Sequence, residues 1–351
     1  MSVPAQVAAW DVLADRSCEP NPFHASWYLL PSLAHLDTER KARLFRFEQG
    51  GHLAGLLPLI RQGRYYGYPI PHLANWQHPN AFCGAPLVAP GAEVPFWEAL
   101  LRWADENAGA ALFLHLRDLP LDGPLHAALN QVLASQRRQA EVVHREERAL
   151  LASDLTPEAY WDASLSGKKR KELRRQANRL ADEGAVAFTR STDSEGLEGW
   201  CHDFLRLEQA GWKGKAGSAL ASSPATAALF CESLAGAAAR GRLERLTLTL
   251  DGRPIAMLVS FLAPPGAFSF KTAFDERFAK FSPGVLLQRE NLAILARPEI
   301  AWTDSCAAAD HPMIDHIWRE RRSIGRISIA IGGPARRFAF RQLVRAETRR
   351  T

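Results

Sequence analysis

An α/β protein built from two copies of one unit is the fold class this sequence predicts, and three observations carry it. Gly50-Gly51 and Asp251-Gly252 each interrupt two apolar, strand-like runs, and such pairs tolerate the positive φ of a tight hairpin turn. Each hairpin is followed by the same succession of helix, strand, helix and strand, a repetition of pattern rather than of residues. The length, 351 residues, suits about two domains.

In the first half, residues 40–61 read as the hairpin, with Leu44, Phe45 and Phe47 on one arm and the run 53–60 on the other. A Pro-, Tyr- and Trp-rich segment fills 65–90. A helix is expected around 96–107, where Trp97, Leu100, Leu101 and Trp103 recur at helical spacing. A strand at 112–116, a helix at 125–133 and a strand around Val142 and Val143 follow. The second half predicts strands 242–250 and 254–262, a turn at Pro264-Pro265-Gly266 and a strand 267–274. Then come a helix 284–296, a strand 300–304, a helix 314–322 and a strand 326–331. Residues 153–178 read as a linker and entry helix. The expected domains are 1–152 and 153–335, with a basic tail at 336–351 that mixes six arginines with Phe338, Phe340, Leu343 and Val344 in a strand and short helix.

Composition narrows the class. Hydrophobic residues at 47% and charged residues at 23% match folded soluble proteins and exclude a disordered or fibrous chain. No uncharged apolar stretch of about 18 residues occurs, and Met1-Ser2-Val3-Pro4 lacks the basic start and apolar core of a secretory signal. The expected location is therefore the cytoplasm, with the inner face of the membrane as a peripheral site. Five cysteines are scattered and form no C-x-x-C pair, so thiols are expected in place of disulfides or zinc. A net charge of +5 and a pI near 9.1 point to an anionic partner: a phosphate-bearing cofactor, RNA, or an anionic membrane face.

Three groups of residues bear on chemistry. After Phe274-Asp275, the run Ser282-Pro283-Gly284-Val285-Leu286 opens a helix, and helix N-termini attract anions through their N–H groups and dipole. Gly284 would let a phosphate approach; the same residues also make an ordinary N-cap with a first-turn proline. Lys168, Lys169, Arg170, Lys171, Arg174, Arg175 and Arg179 crowd one helix, as an anion site or as a solvated face. Trp76, His78 and Asn80 lie in a polar, aromatic segment where a structural strand would be apolar, which suggests a cleft lining joined by Trp212 and Trp302. His78 has no partner at metal-ligand spacing, and no metal is expected.

The order of these motifs resembles the CelD/Fem-type branch of the GNAT acyltransferase superfamily. The residues that carry the resemblance are 165–175 (LSGKKRKELRR), Trp212, 250–256 (LDGRPIA), Thr272-Ala273-Phe274-Asp275 and Ser282-Pro283-Gly284. Asn21-Pro22-Phe23, Trp27 and 54–59 (AGLLPL) are similar to the paired first domain of such proteins. The resemblance spans about residues 20–330 and implies two tandem GNAT-like domains, each a mixed, mainly antiparallel sheet flanked by helices.

It further implies acyl-CoA as donor. The acyl carbonyl would lie beside 269–274, where backbone N–H groups polarise it, contacted by Lys271, Thr272, Ala273 and Phe274. Pyrophosphate would sit at Ser282, Pro283, Gly284, Val285 and Leu286, with Lys168 and Arg174 towards the 3′-phosphate. An acceptor amine must lose a proton; Asp304 and His311 are the favoured bases among Asp275, Asp310, Asp315 and His316, with Asp275 serving either as base or as a loop-orienting acceptor. The first copy's helix near Val94-Pro95 lacks the Ser-Pro-Gly entry and is expected to hold no cofactor. The implied function is N-acyl transfer to an amine of a cell-envelope, polysaccharide or lipid precursor, the lipid case using the basic tail as a reversible membrane anchor. A Fem-type aminoacyl-tRNA ligase is the enzymatic rival, and its long coiled-coil arm has no matching heptad stretch here. A non-catalytic nucleic-acid or anion-binding protein is the rival of another class, without a zinc-finger, RRM or helix-turn-helix signature to support it.

Overall fold

Gly50 and Gly51 adopt φ of 58° and 76°, and Asp251 and Gly252 adopt 49° and 75°, so both hairpin turns form where the dipeptides place them. The computed structural model describes residues 3–348. Its chain divides into two units, residues 1–147 together with the chain from Arg322 onward, and Arg148–Arg321.

In the first unit, α1 (Val3–Asp15) and α2 (Ser26–Leu36) precede the hairpin of β1 (Arg43–Gln49) and β2 (His52–Gln62). Then follow β3 (His72–Asn75), β4 (Leu87–Val88), α3 (Glu93–Asn107), β5 (Phe113–Pro120), α4 (Pro124–Ser135) and β6 (Ala140–Leu151), whose residues from Arg148 on belong to the second unit. Strands β1, β2 and β3 pair antiparallel, and β5 returns parallel to β3 after α3. Phe96, Trp97, Leu100 and Leu101 of α3 are buried, a three-and-four spacing that sets one face of the helix on the sheet. Trp10, Leu13, Leu29, Leu56, Trp76 and Leu87 make a further core.

The second unit continues with α5 (Pro157–Ser164), α6 (Gly167–Asp182), β7 (Val186–Ser191), α7 (Leu197–Ala210), α8 (Trp212–Lys215) and α9 (Pro224–Ala238). It goes on through β8 (Leu243–Leu250), β9 (Arg253–Ala263), β10 (Gly266–Phe274), α10 (Pro283–Asn291) and β11 (Trp302–Asp304). Strands β7 to β10 pair antiparallel in sequence. Strand β11 then lies parallel to β10 and antiparallel to Leu150 and Leu151 at the end of β6. Three antiparallel strands, a helix and a parallel fourth strand thus occur in both units, which is the duplication the sequence pattern predicts.

Three expectations need correction. The second domain does not run to residue 335, because β12 (Glu320–Ala330) pairs antiparallel with β5 of the first unit over Ile324–Ala330. The basic tail is not a separate segment: α11 (Pro334–Thr348) buries Phe340 and Val344 against Tyr65 and Phe113. Arg349 and Arg350 lie outside the described residues. The helix expected at 314–322 is a single 3-10 turn, Ile314–His316, and the strand begins at Glu320. Ile314, Ile317 and Trp318 have helical spacing because they enter a core with Tyr160, Trp161 and Leu173, not because they continue a helix.

Candidate active site

The site begins where two strands part. β10 and β11 pair only at Gly266↔Trp302, Ala267↔Thr303 and Phe268↔Asp304. Beyond Asp304 the chain turns away, since Cys306 takes φ 52° and its N–H donates to Asp304 Oδ1 at 2.8 Å, an Asx turn that ends the strand. Residues 269–274 of β10 therefore run on without β11 beside them. A register shift between Ser269 and Lys271 bends this free half, as a β-bulge does.

Against it stands α8. Gly214 admits no larger residue, because a Cβ there would lie 1.8 Å from the Gln209 carbonyl oxygen. The tight turn delivers Lys213, whose Nζ donates to Glu208 Oε1 at 2.8 Å and to the Thr272 carbonyl at 3.4 Å. Glu208 Oε2 accepts the Leu220 N–H at 2.8 Å. Glu276 fixes the other side of α8 by accepting from Trp212 N–H at 2.5 Å and Lys215 Nζ at 2.8 Å. Lys271 is half-buried on β10; burial first, then the Lys213 ammonium, pushes its own ammonium down to about 8, while Glu208 and Cys306 act in the opposite sense.

Asp304 is buried at 1% exposure and lies 3.6 Å from Arg148 Nη1, itself buried. Its carboxylate holds a strand end and a cation, a structural placement and not that of an open base. His311 Nδ1 is 3.3 Å from the N–H groups of both Met313 and Ile314. Accepting there assigns the ring proton to Nε2, so the imidazole presents a donor and has no lone pair for an incoming proton. Burial lowers its pKa; Asp315 opposes that and Lys213 adds to it. Asp275 caps the 3-10 segment Glu276–Phe281 by accepting the Arg277 N–H at 3.0 Å, and its pairing with the Arg277 guanidinium holds the carboxyl below the usual range. This is the loop-orienting role. Asp315 Oδ1, by contrast, is buried with no hydrogen-bond partner.

The start of α10 differs from an open phosphate cradle. Val285 and Leu286 N–H both donate to the Ser282 carbonyl, at 2.9 and 3.1 Å. Gly284 is buried, and a Cβ on it would lie 3.2 Å from Met313 Sδ and 3.6 Å from Phe274 Cδ1, so side chains already lie against this turn. Phe274, Leu286 and Leu287 join Leu180 of α6 in one core. Lys168, Lys171, Arg174, Arg175 and Arg179 are exposed on α6, whose Leu173 and Leu180 point inward.

The aromatic candidates separate. Trp212 is 59% exposed. Trp302 packs over Gly266, where a Cβ would meet its ring at 2.4 Å, at the paired end of β10 and not at its free half. In the first unit Trp76 is core, His78 stacks on Tyr28 and approaches Ser32 Oγ at 3.2 Å, and the Asn80 carbonyl accepts from Tyr28 at 2.5 Å. These three are tied to the first unit's own helices. Lys213 and Glu208, absent from the sequence-based candidates, are the residues the structure adds. Their signal was a Trp-Lys-Gly-Lys run directly after a helix whose inward face carries a glutamate.

Comparison with known families decides the class: residues 167–311 match the model described as Acetyltransferase (GNAT) domain. This segment is a GNAT acetyltransferase domain. The GNAT domain contains all of the free half of β10, Lys213, Glu208 and His311, and it makes the chain an acyltransferase. The whole chain shares its fold with FemX at 11% identity and a TM-score of 0.58, over 92% of this chain and 95% of that one. It also shares the fold of the C-terminal DUF2156 domain of a putative lysylphosphatidylglycerol synthetase from Agrobacterium fabrum, at 12% identity and a TM-score of 0.55, over 98% and 97%. A conserved protein of unknown function from Bacteroides thetaiotaomicron matches at 10% identity and a TM-score of 0.58, over 92% and 97%. No curated protein matches the sequence. Among the described residues no group of His, Cys, Asp or Glu could hold a metal ion, and no helix is long and apolar enough to cross a membrane.

Proposed function

We propose that the GNAT domain transfers an acyl group from an acyl-CoA thioester to an amine of a cell-envelope, polysaccharide or lipid precursor by direct attack. The observation that supports this is the parting of β10 and β11, which leaves residues 269–274 as an extended backbone edge without β11 beside it, along which a thioester would lie. N–H groups on that edge polarise the carbonyl as the amine adds, and the thiolate of coenzyme A leaves. Lys168 and Arg174 of α6 serve the nucleotide phosphates, supported by their exposure on a helix that shares a core with α10. The acceptor ammonium loses its proton to a base or a water chain before or during attack.

Titration of the full chain with acetyl-CoA, palmitoyl-CoA and coenzyme A tests the donor. A ligand that binds only the folded state raises the melting temperature as its concentration passes Kd, and one of these thioesters should do so and acylate a member of an amine panel. If none shifts the transition, the donor is not a coenzyme A thioester. The exposed cations of α6 favour aminoacyl-tRNA as the second donor, and binding of charged tRNA should then fall steeply with added salt as several phosphates lose their counter-charges. The longest described helix, α6, has 16 residues, so the long coiled-coil arm expected for a Fem-type enzyme is not found among the described residues.

A further inference from the structure

We infer that Lys213 is a catalytic residue: its ammonium takes up the negative charge that forms on the acyl carbonyl oxygen as the amine adds. The inference rests on the acyl-transfer reading of the same strand edge and names the side chain that completes it.

Backbone geometry puts Lys213 on that edge. The Asp275 N–H donates to the Ile255 carbonyl at 2.8 Å, and Ala273 and Lys271 stand opposite Met257 and Val259 of β9. Backbone groups of successive residues in an antiparallel strand point to alternate sides. Asp275, Ala273 and Lys271 therefore turn theirs to β9, and Thr272 and Phe274 turn theirs to the side from which β11 has departed. The Thr272 carbonyl on that side accepts from Lys213 Nζ at 3.4 Å, so the ammonium stands where an acyl group would pair with the strand. The N–H groups of Thr272 and Phe274 point the same way, and an acyl oxygen held by either would lie beside the lysine.

The cation is fixed before any ligand arrives. Glu208 Oε1 accepts from Nζ at 2.8 Å and Oε2 from the Leu220 N–H at 2.8 Å, so both ends of the carboxylate hold it in place. The Lys213 carbonyl accepts the Ser218 and Ala219 N–H groups at 2.8 and 3.2 Å, and Glu276 holds the preceding Trp212 N–H. An ammonium has three donors; among the described residues Glu208 and Thr272 take two, and the Thr272 bond is long. The side chains of Glu208 and Lys213 are 2% and 24% exposed, so water screens a charge beside them less than it would at the open surface. A fixed donor aimed at developing charge is the arrangement that stabilises an acyl-transfer oxyanion. In the step itself the amine nitrogen bonds to the acyl carbon as the carbonyl pair moves onto oxygen. Return of that pair breaks the carbon–sulfur bond and expels the thiolate. The proton shed by nitrogen goes to a base or a water chain, and Lys213 keeps its own.

The test gives the full chain acetyl-CoA or palmitoyl-CoA as donor and hydroxylamine as an amine that needs no acceptor pocket, with hydroxamate formation as the readout. Lys213→Met should lower kcat about 100-fold or more, with KM for the thioester and its Kd from calorimetry little changed. Lys213→Arg, which keeps the positive charge, should recover part of the loss. Lys213→Met alone strands the buried Glu208 carboxylate, so a second variant, Glu208→Gln with Lys213→Met, removes both charges. It should melt no lower than Lys213→Met and show the same loss of kcat. Undiminished kcat in Lys213→Met overturns the inference. So does a loss confined to KM and Kd, which would make Lys213 a donor-binding residue, or activity restored in the double variant, which would trace the loss to the stranded carboxylate. Each of these leaves the thioester reading standing, whereas a parent chain that forms no hydroxamate from either thioester brings down both.

Discussion

Arg148 and Asp304 are at 5% and 1% exposure, with 3.6 Å between guanidinium and carboxylate. Removing one member of such a pair strands the other charge in a poorly solvated place. Asp304→Asn should therefore cost about 3–5 kcal/mol of stability, read from the denaturant midpoint of unfolding. The double variant Asp304→Asn with Arg148→Met should recover much of the loss. A stable Asp304→Asn protein that has lost acyl transfer would instead return this residue to the chemistry. From sequence, a carboxylate at a strand end is equally a base, a turn cap or an ion-pair partner, because Arg148 is remote in the chain and only folding joins them. The contact of Lys213 with the Thr272 carbonyl of β10 was hidden for the same reason, since it joins residues 59 apart in the chain.

At the scale of elements, α6 places Lys168, Lys169 and Arg170 in its first turn with no acidic residue there. Cations at the positive end of a helix dipole are unfavourable by about 0.3–1 kcal/mol each, and Ser166, whose side chain accepts the Lys169 N–H at 3.3 Å, provides the only cap bond. Lys169 and Arg170 offset part of that cost by pairing with Glu172 and Asp162, while Lys168 and Arg174 have the exposure an anion-binding face needs. Lys168→Glu with Arg174→Glu should raise the melting temperature while weakening coenzyme A more than dephospho-coenzyme A, measured by parallel titrations. Equal weakening of the two would separate these side chains from the 3′-phosphate. The hairpins and the strand–helix–strand passage through β10, α10 and β11 were legible because turn dipeptides and local apolar spacing are short-range signals. Helices α7 and α9 were not among the expected elements. In α9 the run PATAALFCESLAGAA is nearly uniform in small and apolar residues, so it has no polar stripe to mark a helical period. The misread helix at 314–322 shows the converse: apolar spacing fixed by a shared core can imitate a helix across a loop.

Acid should act on the whole molecule through one unit. His24, His72 and His115 all belong to the first unit and are 1–2% exposed. Burial lowers His24 to about 4 and His115 to about 3, from an ordinary value of 6.5, and it lowers His72 as well. The native first unit holds these rings neutral, whereas an unfolded chain protonates them as pH falls below 6.5. Unfolding therefore binds protons, and stability present above pH 6.5 is lost progressively down to about 3. Glu19 opposes this, since burial raises it to about 7 and its protonation favours the native state between 4.5 and 7. One carboxyl against three imidazoles leaves a net loss on acidification. In the second unit Lys271 titrates with the same sign but in another window: its pKa of about 8, below the ordinary 10.5, makes stability rise as pH climbs from 8. Hydrogen exchange between pH 7 and 5 should show protection falling in β3, β5 and β12 of the first unit before it falls in β8, β9 and β10. Uniform loss across all six strands would mean that the buried histidines do not control acid unfolding.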